Sequence, residues 1–122
     1  MAKGYVHHYQ KAEKAGRYAE LFILVLYLIS GWRFVARRKR TPFGEIDLIV
    51  KRGSVICFIE VKYRRKLRDF DAILSPTQSQ RLARAISWIA AREGDHANDV
   101  IRFDIAIVTK RGRWQILRNH FL

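Results

Sequence analysis

Two apolar runs near the middle of the chain, residues 44–50 and 55–62, are separated by the polar connection Lys51-Arg52-Gly53-Ser54. Both runs are rich in β-branched side chains, and the short connection between them contains Gly53. Such a pattern is typical of a β-hairpin, because glycine supplies the positive φ that a tight turn needs. We therefore predict a hairpin here, with residues 52 and 53 as its loop.

Side chains of a strand alternate between two faces, so the predicted hairpin has one face with charged side chains and one without. With that loop, Asp47 faces Phe58, and Glu60 is the diagonal neighbour of Asp47 at about 7 Å. Lys62 projects from the same face as Glu60. We expect the other face to be buried, because all its residues are apolar: Ile46, Leu48, Val50, Val55, Cys57, Ile59 and Val61.

An apolar stretch before the hairpin predicts a first helix. Residues 1–15 are expected to form a polar, partly mobile lead-in that becomes helical near Lys11, and nine consecutive apolar residues follow at 21–29. A bilayer-spanning helix needs about 20 apolar residues, so we expect no membrane span. We expect instead that the sheet buries most of the surface of a helix over residues 16–30.

A second helix and three further strands complete the predicted elements. Ser75, Pro76 and Gln78 indicate a capped helix start, and the helix should end near Glu93, before Gly94. Its buried stripe is expected to contain Leu82, Ala85, Ile86 and Ile89. Further strands are expected at residues 32–36, which lead into a basic loop at 37–40, and at residues 101–108 and 114–117.

The charge balance indicates the kind of partner. The 122 residues include 24 Lys and Arg against 11 Asp and Glu, a formal net charge of +13. On a single domain over residues 16–122, such an excess favours a polyanion, either nucleic acid or an anionic membrane surface. The single cysteine, Cys57, excludes a disulfide within the chain and fits a reducing cytoplasm.

Basic residues lie on both sides of the hairpin acids in the sequence. We expect them to contact phosphates, which position a nucleic acid without reading its bases. Gln78 has two open roles, as a capping partner of Ser75 or as a side chain directed at the site. The predicted nucleic-acid contacts are Arg37, Arg38, Lys39, Arg40, Arg64, Arg65, Lys66, Gln78 and Arg81.

Asp47 and the Glu60-Val61-Lys62 segment resemble the PD-(D/E)xK nuclease signature. The wider chain resembles the bacterial YraN family, which is similar to Holliday-junction resolvases. The resemblance implies an α/β fold with a restriction-endonuclease-like αβββαβ core and helices flanking a mixed sheet. It rests on Gly16-x-x-Ala19-Glu20, Gly44-Glu45-Ile46-Asp47-Leu48-Ile49, Phe58-Ile59-Glu60-Val61-Lys62-Tyr63-Arg64 and Arg102-Phe103-Asp104.

This resemblance implies a metal-dependent endonuclease that hydrolyses DNA, with branched or junction DNA among its candidate substrates. Mg²⁺ or Mn²⁺ is the implied cofactor. The motif assigns metal binding to Asp47, Glu60 and Glu20, and a catalytic role to the same three residues and Lys62. Many relatives have lysine where Gln78 stands, so the role of that position stays open.

Two other classes of function remain open at the level of sequence. The first is a nucleic-acid-binding module whose nuclease-like site is silent. The second is a membrane-surface or partner-docking protein that uses the apolar first helix. A homodimer is one arrangement that would cover this helix.

Overall fold

The computed structural model describes residues 2–66, 74–92 and 99–120, with side chains from residue 15 onward. The order of elements over these ranges confirms the predicted α/β fold with an αβββαβ core. The elements are α1 (Ala2–Ile29), β1 (Arg33–Thr41), β2 (Gly44–Arg52), β3 (Val55–Arg64), α2 (Pro76–Arg92), β4 (Val100–Thr109) and β5 (Trp114–Leu117).

The five described strands form one mixed sheet in the order β1-β2-β3-β4-β5. The pairs β1–β2, β2–β3 and β4–β5 are antiparallel, whereas β3 and β4 are parallel. Parallel neighbours need a crossover connection, and α2 lies in the chain between these two strands. The sheet is therefore mixed, as predicted.

The two helices cover opposite faces of the sheet. On one face, α1 packs Ala19, Ile23 and Tyr27 against strand residues that include Leu48. On the other, the predicted stripe of α2 packs with strand residues that include Phe58, which is fully buried. The prediction that one hairpin face is buried was therefore incomplete, because the crossover helix also covers the second face.

The hairpin register differs from the prediction by two residues. Arg52 pairs with Val55, so the loop is residues 53–54, and Ile49 rather than Asp47 lies opposite Phe58. Gly53 has φ +59° and stands first in the loop, where glycine occurs in type II′ turns. A shift of two residues preserves the alternation of faces, so the predicted grouping of Glu60 with Lys62 is unaffected.

Three predictions on element boundaries were wrong or fall outside the described residues. The α1 helix begins at Ala2 rather than near Lys11. The basic run 37–40 lies within β1, where it pairs with β2, and is not a loop. The predicted end of α2 near Glu93 and Gly94 lies outside the described residues, which follow α2 to Arg92.

The α1 helix is less buried than the sequence predicts. Its outer side is exposed, with Ile29 at 79%. The sheet contacts only one stripe of the helix, so the remaining apolar side chains face outward. Within the described residues, no helix has the length and apolar character needed to cross a membrane. The exposed apolar residues of α1 are Leu21, Phe22, Val25, Leu28 and Ile29.

Candidate metal and nucleic-acid site

The two strands of the hairpin separate at the end away from the turn. Pairing of β2 with β3 ends at Leu48 and Ile59, whereas β2 stays paired with β1 as far as Gly44, and β3 with β4 as far as Arg64. A notch therefore opens between β2 and β3. The acids predicted from the sequence lie along it.

Asp47 lies where the alternation of β2 side chains between the two faces of the sheet is interrupted. Ile46 packs in the cluster under α2, whereas Leu48 packs in the cluster under α1. The backbone N–H of Val61 donates to Oδ2 of Asp47 at 2.8 Å. Because the ladder between β2 and β3 has ended, this carboxylate satisfies a β3 donor and thereby fixes the Asp47 side chain beside the Glu60-Val61-Lys62 segment.

Glu60 and Lys62 form an ion pair in the same notch. Lys62 Nζ lies 3.2 Å from Glu60 Oε1, and the two side chains are only 13% and 14% exposed. They are two residues apart on β3, so they project from the same face of the strand. The prediction that these two residues share a face is confirmed.

The carboxyl group of Asp47 is electrostatically disfavoured in its charged form. Burial and then the charge of Glu60 raise the pKa of Asp47 from its ordinary value of 3.8 to about 7. The Val61 N–H lowers this pKa, while the charge of Glu20 and a hydrogen bond between the Asp47 and Glu60 carboxyl groups raise it further. The charge of Glu60 therefore acts on Asp47, and the two carboxylates repel each other when both are ionised.

Glu20 lies near this pair but has its own partners. Its Oε2 accepts from Nε of Arg37 at 3.3 Å and from Nε of Arg38 at 3.2 Å. Arg38 has φ +53°, a conformation that is uncommon for a residue other than glycine. Over the described ranges, no group of three or more His, Cys, Asp or Glu residues is arranged to hold a metal ion.

The donor set of the notch fits a hard divalent cation. Mg²⁺ prefers oxygen ligands and is usually bound by one or two carboxylates together with substrate phosphates and waters. Asp47 and Glu60 supply two such carboxylates, and a cation between them would relieve the repulsion that raises the pKa of Asp47. The geometry brings together these two residues and Lys62, with Glu20 in an adjoining cluster with Arg37 and Arg38.

The other predicted nucleic-acid contacts fall into two groups. One group lies on β1, where Arg40 is exposed and 3.9 Å from Glu45, and where Lys39 follows Arg38. The other follows the acids on β3, where Arg64 donates to the carbonyl of Tyr63 and the next two residues, Arg65 and Lys66, are exposed. Both groups lie at the end of the sheet that holds the notch.

Gln78 and Arg81 lie on the first turns of α2. Gln78 makes the capping box with Ser75: its N–H donates to Ser75 Oγ at 3.1 Å, and its Oε1 accepts from the Ser75 N–H at 3.2 Å. Of its two open roles, the capping role is the one with observed contacts. The stem of Arg81 lies against Gly44, where an added Cβ would stand 3.2 Å from Arg81 Cδ. Arg81 therefore adjoins the start of the strand that carries Asp47.

A second polar cluster lies around Asp104. Its two carboxylate oxygens accept from the Arg102 guanidinium at 2.9 and 2.8 Å. Tyr27 also donates to Asp104 at 2.5 Å, although 77 positions separate the two residues. No local pattern could have indicated that contact, because it depends on how α1 lies on the sheet.

Comparison with known proteins identifies relatives over most of the chain. The model of the uncharacterised protein family UPF0102 matches residues 19–108. A UPF0102 protein of Rhodopseudomonas palustris strain BisB5 is 40% identical over 82% of this chain and 76% of its own. A UPF0102 protein of Mesorhizobium japonicum is 36% identical over 88% of this chain and 85% of its own. The matched region includes every residue of the notch.

Proposed function

The chain belongs to the uncharacterised protein family UPF0102, the YraN family, and we propose that it is a metal-dependent endonuclease that hydrolyses phosphodiester bonds in DNA. Branched or junction DNA is one candidate substrate within this proposal. The observation that carries it is the notch between β2 and β3, where the Val61 N–H holds the Asp47 carboxylate beside β3 and Lys62 is paired with Glu60.

Each residue of the notch has a chemical role in this proposal. Asp47 and Glu60 would hold Mg²⁺ or Mn²⁺, which when bound would orient the scissile phosphate and acidify the attacking water. Lys62 would stabilise the negative charge that develops on the phosphate, because its ammonium is held beside Glu60. Glu20 would fix Arg37 and Arg38 beside the notch, where their guanidinium groups can bind the DNA backbone.

Cleavage assays with matched variants test the proposal. Mutation of residues that only support metal ligands typically lowers metal affinity or activity by about 10–100-fold. Loss of a ligand itself should cost more, so Asp47→Ala and Glu60→Ala should each reduce Mg²⁺-dependent cleavage by about 100-fold or more. Glu45→Ala is the control, because Glu45 is exposed and lies 3.9 Å from the exposed Arg40, and it should retain near-native activity. The panel should compare linear, flap and four-way-junction DNA with single-stranded RNA.

The result that would overturn the proposal is equal cleavage by the native chain and both notch variants. Cleavage that survives chelation of divalent cations would also remove the metal from the mechanism. Circular dichroism of each variant is needed, so that lost activity is not confused with lost fold.

A DNA-binding module with a silent nuclease-like site is the second candidate function. It is favoured by the observation that Glu20 pairs with Arg37 and Arg38 instead of joining the other two acids. Thermal unfolding in Mn²⁺ separates the two candidates. If the site is a nuclease site, Mn²⁺ should raise the unfolding temperature of the native chain but not that of Asp47→Asn. If the site is silent, Mn²⁺ should shift the unfolding temperature of neither chain, and both should bind DNA equally well.

A further inference from the structure

A second polar pocket lies between the end of α1 and the β4–β5 ribbon, outside the notch. Its volume is ≈ 330 Å³, within the range of small-ligand sites. Arg52, which lines it, pairs with Val55, and Val55 precedes Glu60 by five residues, about 17 Å of strand. The lining residues are Leu26, Tyr27, Ile29, Ser30, Trp32, Arg52, Arg102, Trp114, Ile116 and Arg118.

One wall of the pocket is fixed by buried hydrogen bonds. Asp104 is fully buried and accepts from Arg102, from Tyr27 and from the backbone N–H of Asn119. Asp104 uses two of the five N–H donors of the Arg102 guanidinium. The same guanidinium lies 4.9 Å from the ring centroid of Trp32. Arg102 is thus held in one orientation at the pocket wall.

Two further cations that line the pocket, Arg52 and Arg118, have no carboxylate partner among the described residues. Arg52 is exposed, lies 4.5 Å from the Trp32 ring centroid and donates only to the carbonyl of Ser30, at 3.3 Å. Arg118 is also exposed. With Arg102, three guanidinium groups line the pocket, and its described lining includes no carboxylate, so the pocket attracts anions.

The pocket also presents an aromatic surface. Trp114 is 46% exposed, and its ring is braced by an edge contact with Phe22 at a centroid distance of 6.4 Å. An exposed indole beside guanidinium groups is the combination with which proteins bind unpaired nucleotides, since the ring stacks on the base and the cations bind the phosphate. A simple phosphate or an apolar segment would use only half of these groups.

We propose that this pocket binds a nucleotide unit, with the base against Trp114 and the phosphate at Arg52 and Arg118. The unit is either a free nucleoside monophosphate or an unpaired nucleotide of a nucleic-acid strand. The site is independent of the notch and does not depend on hydrolysis. It would give the protein a second contact for an anionic ligand on the α1 side of the sheet.

Isothermal titration calorimetry of the full chain with thymidine monophosphate tests the site. Base stacking is worth about 1–3 kcal/mol, so Trp114→Ser should weaken binding by about fivefold or more, and Arg118→Gln should do the same through the phosphate. Both residues are exposed, so neither substitution opens the core. The control is Arg84→Gln, which removes an exposed cation from α2, on the other face of the sheet.

A second titration, with labelled oligothymidylate in a chelator, identifies the source of the nucleotide. If the oligonucleotide binds more tightly than the monophosphate, and Trp114→Ser and Arg118→Gln lose that tighter binding, the pocket binds a nucleotide of a strand. If the two probes bind equally well, the pocket binds a free nucleotide. Asp47→Asn should leave both titrations unchanged, which separates this site from the proposed nuclease site.

The proposal is overturned if neither probe binds, or if Trp114→Ser and Arg118→Gln bind both probes as Arg84→Gln does. Inorganic phosphate that competes as well as thymidine monophosphate would also overturn it, because the base would then contribute nothing. Sedimentation with phosphatidylglycerol vesicles is a further comparison. If Trp114→Ser and Arg118→Gln weaken only binding to these vesicles and not to either nucleotide probe, the two residues belong to a membrane-binding surface instead.

Discussion

At the scale of single residues, the environment of Asp47 disfavours its ionised carboxylate, and a bound cation would offset that cost. Burial and Glu60 raise its pKa, and the Val61 N–H offsets only part of that effect. A purely structural aspartate, Asp104, has the reverse balance: burial raises its pKa, but bonds from Arg102, Tyr27 and Asn119 outweigh burial and lower it. The contrast supports a ligand role for Asp47 and a structural role for Asp104.

The raised pKa of Asp47 predicts how stability depends on pH. The folded state holds the proton with a pKa of about 7 and the unfolded state with its ordinary value of 3.8, so the free energy of unfolding should fall as pH rises between these values. From about pH 5 to about pH 8 without divalent cations, the native chain should lose on the order of 2 kcal/mol relative to Asp47→Asn.

Urea unfolding at the two pH values measures this difference. Glu45→Gln serves as the control, because that carboxylate is exposed and should leave the native pH dependence intact. Parallel pH curves for the native chain and Asp47→Asn would mean that Asp47 titrates as an ordinary surface acid.

The sequence predicts the residues of the notch better than their partners. Asp47, Glu60 and Lys62 were predicted together because a hairpin brings their strands side by side, although the register was wrong by two residues. The pairing of Glu20 with Arg37 and Arg38 was not predicted, because the basic run was assigned to a loop. That pairing depends on the strand geometry of β1 and on the positive φ of Arg38.

At the scale of elements, the hairpin register illustrates what a local pattern cannot decide. Alternation of apolar residues predicted which side chains share a face, except that Ile46 packs under α2 whereas Leu48 and Val50 pack under α1. The turn could be formed by residues 52–53 or 53–54, with Gly53 in either case. The pairing of Arg52 with Val55 decides for the second. The element order and the stripe of α2 were predictable, because both follow from periods that the sequence carries directly.

The docking of α1 on the sheet depends on a tertiary hydrogen bond that can be tested. Tyr27→Phe removes the donor to buried Asp104, which keeps its bonds from Arg102 and Asn119. We expect a loss of about 1–2 kcal/mol in the free energy of unfolding, measured with urea. Tyr18→Phe is the matched control, because Tyr18 is 69% exposed on the same helix. Equal stability of the two variants would show that the Tyr27 hydroxyl contributes nothing to docking.

At the scale of the whole molecule, the excess of 24 basic over 11 acidic residues is distributed unevenly. The acids of the notch are surrounded by cations of β1 and of the segment after β3, such as Arg65 and Lys66, whereas the exposed side of α1 is apolar between Leu21 and Ile29. Duplex DNA that binds at the notch should therefore contact these cations, and this orientation can be measured.

Salt dependence of DNA binding tests that orientation. Each neutralised phosphate steepens the slope of log K against log salt by about 0.9 for duplex DNA, so Arg65→Gln should make the slope shallower by about 1. Arg33→Gln removes an exposed cation from the opposite end of β1 and should leave the slope unchanged. Anisotropy of a labelled duplex in a chelator, between about 50 and 200 mM salt, prevents cleavage while measuring the slope. Equal slopes for the two variants would mean that the net charge attracts DNA without orienting it on the notch.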